Sequence, residues 1–201
     1  MAPPRNDRLR RALAQEAARI MDEHGVQDFG LAKRKAAERL GSRDESVLPR
    51  NTEIESALAE RQRIFGGELH DSRLRSQRQA ALNAMRALDT FGPRLVGPVL
   101  LGTATANATV QLHVFSDQPE AVALRLMDGN VRHEMAERRV RLDAGRTVNL
   151  PSVCFDVDDQ PVEAVIFPVD GIRQSPLSPV DGRPMRRADA TEVRLLVDVA
   201  G

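Results

Sequence analysis

Thr109-Val110-Gln111-Leu112-His113-Val114-Phe115 alternates apolar and polar residues with a period of two, the pattern of a strand with one covered face. Such a strand projects Gln111 and His113 to the same side, where an amide and an imidazole can meet a ligand. Asp156, Asp158 and Asp159 form the densest acidic cluster and could be recruited to a metal, yet their place at a predicted hairpin reads as solvated turn carboxylates. His133-Glu134 lacks the second histidine of a zinc protease helix, because position 137 is Glu. Cys154 is the sole cysteine, so an internal disulfide or a cysteine zinc site is excluded, which fits a reducing cytoplasm. No Gly-x-Ser-x-Gly elbow, lysine phosphate loop or Gly-x-Gly-x-x-Gly turn is present. The run Pro176 to Arg187 holds Arg183, Arg186 and Arg187, with Arg173 nearby, and could clamp a phosphate or an acidic tail. The preferred reading is a proline-stiffened strap over a sheet.

The segment Val99-Leu100-Leu101-Gly102-Thr103-Ala104-Thr105-Ala106-Asn107-Ala108-Thr109-Val110-Gln111-Leu112-His113-Val114 resembles the signature of the polymerase-β-like nucleotidyltransferase superfamily. There a strand ends in Gly-Ser, a second strand carries two acidic residues at alternate positions, and a later strand supplies a third carboxylate. Gly102-Thr103 corresponds to Gly-Ser, and Glu163 stands where the third carboxylate falls. Thr109 and Gln111 occupy the places of the acidic pair. The resemblance covers about residues 94–168 and implies a nucleotide phosphate held by Gly102 and Thr103, with Gln111 and His113 beside it. Neutral oxygens replace carboxylates poorly around a hard cation, so it implies Mg²⁺ only if the site is active. An active enzyme would draw its carboxylates from Asp156 and Glu163.

These residues need a scaffold, and the pattern supplies one in two parts. Before Pro93 the apolar residues recur at three and four: Leu9, Leu13, Ala17, Ile20 and Met21 mark a first helix ending at Gly25. Further helices are predicted over 31–40, from a capping box at Thr52-Glu55 to Gly66-Gly67, and over 71–88. After Pro93, strands are predicted at Leu95-Val96, at Val99-Leu101, over 109–115 and over 132–142, with a hairpin of 153–157 and 162–167 around Asp158-Pro161. A helix opens at Ser116-Glu120 and runs to Asp128, the stretch 168–184 is an ordered loop, and a last helix covers 188–197.

Composition limits the partners. Tyr and Trp are absent and Phe numbers six, so stacking platforms for bases are poorly supplied. The 29 basic and 29 acidic residues cancel, which argues against a general nucleic-acid coat. No apolar run approaches the roughly 18 residues of a membrane span, and no secretory signal is read at the start. The helix Lys33 to Arg39 could face DNA phosphates, but Glu38 and Asp22-Glu23 dilute its field. The expectation is an α+β chain: a helical region over 1–92, then a nucleotidyltransferase-like α/β domain with a mixed or antiparallel sheet over 93–201. Its expected function is a catalytically weakened, cytoplasmic scaffold that binds a nucleotide, RNA or a protein partner. The alternatives are an active metal-dependent nucleotidyltransferase and a DNA-binding regulator.

Overall fold

A computed structural model describes residues 5–198 and is α+β, with helices first and a five-stranded mixed sheet after them. The chain forms two compact units. One holds the residues through His70 with Thr105–Ala108 and Pro179–Asp181; the other holds Asp71–Ala104, Thr109–Ser178 and the residues from Gly182 onward. The division falls upstream of the change of pattern at Pro93.

In the first unit α1 (Arg5–His24) packs against α2 (Phe29–Arg39) and α3 (Asn51–Arg61). Its stripe of Leu13, Ala17, Ile20 and Met21 is buried with Ala32 and Ala36 of α2 and Ile54 and Leu58 of α3. Asp28 caps α2 by accepting the Leu31 N–H at 2.6 Å. The predicted Thr52–Glu55 box does not form. Glu53 instead accepts the Arg50 N–H at 2.7 Å, because the helix begins two residues earlier than that box requires, at Asn51. Nor does the helix stop cleanly at the glycine pair: a π turn over Gln62–Gly66 leads into α4 (Gly67–Ala87), with Gly67 at φ +48° marking the break. On α2 the Lys33 ammonium is partly buried, which lowers its pKa, and Arg39 pairs with Glu16 at 3.4 Å.

The second unit is built on β1 (Arg94–Val96), β2 (Val110–Phe115), β3 (His133–Arg141), β4 (Thr147–Val157) and β5 (Gln160–Phe167), in the order β1-β2-β5-β4-β3. The β2–β5 pair is parallel and the other pairs are antiparallel. Between β1 and β2 lies α5 (Gly97–Leu101), so the predicted strand at Val99-Leu101 is corrected to a helical turn. The physical reason is local. Gly97 turns the chain at φ +71°, Pro98 pre-sets the first helical φ, and three apolar residues carry no period of their own. α6 (Pro119–Asp128) packs against β3 and β4, burying Val122 and Leu126. Asp117, just before it, accepts the Val169 N–H at 3.0 Å, and the N-cap residue Gln118 makes no side-chain cap. α7 (Ala190–Asp198) follows the strap and contacts β1. Arg78 of α4 links these pieces, donating to the Val99 carbonyl at 3.2 Å and the Leu196 carbonyl at 3.1 Å. The β4–β5 hairpin is tighter than expected: Asp158 and Asp159, at φ +52° and +60°, make a two-residue turn. None of the described helices is long and apolar enough to cross a membrane.

Candidate functional site

Register decides which side chains share a surface. Parallel pairing sets Gln111 beside Glu163, His113 beside Val165 and Phe115 beside Phe167. Antiparallel pairing sets Cys154 beside Glu163 on the other flank, and Val96 beside Gln111. Alternation then gives one sheet face carrying Gln111, His113, Glu163 and Cys154, with Asp156 two positions further along β4. Thr109 precedes β2, so the alternate pair on this face is Gln111 and His113.

Each member has a defined neighbour. Glu163 is 13% exposed, and its Oε2 lies 3.2 Å from Nη1 of the half-exposed Arg138, which reaches across β4 from β3. Gln111 packs on Gly97, where a Cβ would sit 2.5 Å from its Oε1; only glycine suits both that approach and the positive φ. His113 is 4% exposed, and its Nδ1 accepts the Arg187 Nε–H at 3.0 Å. The Arg187 guanidinium stands 5.0 Å from the ring centres of both Phe115 and Phe167, while Nη1 donates to the Gly171 and Ile172 carbonyls at 2.9 and 3.2 Å. Burial, then the charges of Arg187 and Arg138, push the His113 pKa down to about 3, so its imidazole is neutral. Burial also raises the Cys154 thiol, with Glu163 and Glu134 adding to the effect.

The strap read from the sequence crosses this face. The Leu177 N–H donates to the Arg141 carbonyl at one sheet edge, and Ala188 bridges Leu95 at the other. Between them Arg187 is engaged with the sheet rather than held out toward a phosphate. The remaining predicted residues lie apart from its contacts with Arg187. Gly102, at φ +86°, closes α5 beside Leu74 and Arg78, and Thr103 is buried next to it. Asp156 is exposed, and Asp158 and Asp159 form the hairpin turn, where Asp158 accepts from Asn83 at 2.6 Å. Sequence reasoning missed Gly97 and Arg138. The Gly97-Pro98 pair directly after Leu95-Val96 was a usable signal for the first; nothing local signals the second.

The donor set does not fit a pair of Mg²⁺ ions. A hard cation wants several carboxylate oxygens, whereas Glu163 is already ion-paired, Gln111 offers an amide and His113 has its Nδ1 lone pair engaged. Among the described residues no three His, Cys, Asp or Glu side chains gather as a ligand group. What the face offers is a partly open polar patch of Gln111, Glu163 and Arg138 beside a closed, neutral histidine. No family model matches the chain, and no curated protein matches it in sequence.

Proposed function

We propose that the chain is a catalytically weakened member of the polymerase-β-like nucleotidyltransferase superfamily that binds a nucleotide, free or at the end of an RNA, without transferring it. The observation that carries this reading is the pairing of Gln111 with Glu163 on adjacent parallel strands, with Gly97, the residue directly after β1, packed against Gln111. With Gly97 as the glycine of the first strand, Gln111 and His113 stand for the alternate acidic pair and Glu163 for the third carboxylate. Two carboxylates are thereby exchanged for an amide and a neutral imidazole, and the remaining one is neutralised by Arg138. Cation-assisted phosphoryl transfer depends on carboxylates that hold the cation against the developing charge, so this face lacks the means for it. Arg138, half-exposed and paired with Glu163, is the group suited to a phosphate. A reducing cytoplasm belongs to the same reading, supported by the single, free cysteine.

Calorimetric titration with each ribonucleoside triphosphate in EDTA tests the binding. Heat of binding that weakens in Arg138→Ala is expected, and no binding of any of the four would overturn the nucleotide reading. Incubation with Mg²⁺ and labelled triphosphates should give no transfer. Transfer that vanishes in Glu163→Ala would instead establish an active enzyme. Gln111→Asp should tighten Mn²⁺ binding roughly tenfold by adding a carboxylate beside Glu163; an unchanged affinity would count against the assignment of this face.

A further inference from the structure

β1 and β3 end the sheet on opposite sides, and they end it differently. The outer edge of β1 is closed, because Leu95 and Ala188 exchange N–H and carbonyl at 2.8 and 2.9 Å. The outer edge of β3 is touched at Arg141, whose carbonyl accepts the Leu177 N–H at 2.7 Å; among the described residues nothing pairs with it from His133 to Val140. An open row of ladder groups is a template for another strand. The Arg141 contact also fixes the phase of that row. In an antiparallel ladder the N–H and carbonyl of one residue point to the same side and successive residues alternate. Arg141 points outward, so Arg139, Glu137, Met135 and His133 do as well. Side chains from Glu134 to Arg139 are exposed on both faces of the sheet. Met135 is 50% exposed, and α6, which packs against β3, leaves Leu124 and Met127 exposed too.

We propose that β3 pairs antiparallel with β3 of a second copy of this chain, centred on Ala136, to make a homodimer whose sheet runs through both protomers. A two-fold axis through such a seam keeps each sheet face on its own side, so the residues that meet differ by an even number. Centring on Ala136 sets Glu134 against the partner's Arg138 and Arg138 against the partner's Glu134 on one face. On the other face His133 meets the partner's Arg139 and Met135 meets the partner's Glu137. Opposite charges across strands attract, and here no like charges are opposed. Other centres lose this complementarity. Glu137 as centre opposes two carboxylates and needs Arg141, whose carbonyl is taken; Arg138 as centre opposes two guanidiniums; Met135 as centre loses both Glu134–Arg138 pairs. The favoured register uses His133 to Arg139, the stretch that Leu177 leaves open, and its outward groups supply about eight backbone hydrogen bonds. The charges along this edge select a copy of itself and discourage other strands. Met135 and the partner's Met135 fall on a diagonal of the seam, covering apolar surface left exposed in the monomer.

Sedimentation velocity over a micromolar-to-millimolar concentration series tests this on the full chain. The wild type should form a dimer. Glu134→Arg turns both cross-strand pairs repulsive and should weaken association at least about tenfold while leaving the circular dichroism unchanged. Met135→Pro removes an outward N–H without touching the β4 ladder and should give a monomer. A wild type monomeric throughout, or a Glu134→Arg variant that associates as the wild type does, would overturn the proposal. Hydrogen exchange supplies a reading independent of the variants: the Met135 and Glu137 amides should gain protection with concentration, and their free exchange in a dimer would place the interface elsewhere.

Discussion

Protonation of His113 should be the acid weakness of this fold. The native ring is buried, its Nδ1 accepts from Arg187, and its pKa is lowered to about 3 from the ordinary 6.5. The unfolded chain therefore binds a proton that the folded chain refuses throughout the window between those values, and stability falls as pH falls within it. One pH unit across the window is worth about 1.4 kcal/mol, so acidification to about pH 4.5 should remove on the order of 3 kcal/mol through this residue alone. Urea unfolding at about pH 7.5 and 4.5 measures it, with His113→Asn as the reference. The asparagine oxygen takes over the hydrogen bond from Arg187 and does not titrate. Carboxylates titrating elsewhere contribute equally to both proteins and cancel in the difference. The wild type should lose on the order of 3 kcal/mol more than the variant. Equal losses in the two proteins, or an imidazole resonance for His113 that titrates near pH 6.5, would refute the claim that this ring is held neutral.

Gly97→Ala should cost about 2 kcal/mol, part from the positive φ and part from the collision with Gln111. In a Gln111→Ala background, thermal or urea unfolding should show that cost falling to the backbone share, about 1 kcal/mol; an unchanged cost would mean that the two residues do not touch. Asp159→Gly should stabilise the protein by about 0.5–1 kcal/mol, seen as a higher urea midpoint, because the second position of the hairpin turn has φ +60° and glycine adopts it without strain.

Elements with a strong local period were legible from the residues alone. Leu13, Ala17, Ile20 and Met21 announce the buried stripe of α1, and the alternation from Thr109 to Phe115 announces β2, because side-chain direction follows directly from helical and extended geometry. Val99-Leu100-Leu101 was misread because three apolar residues fit either geometry, and Gly97-Pro98 before them decided the outcome. The candidate face was legible only in part. Gln111 and His113 share a side by simple alternation, but no local rule says that Glu163 lies beside Gln111. That depends on β2 and β5 pairing in parallel, with β3 and β4 passing between them in sequence but not in space. Arg138 reaching Glu163 and Arg187 closing over His113 are likewise contacts between strands and strap far apart in the chain. Residue types and spacing set the local elements, while the strand register set the charge and burial that determine what this face can do.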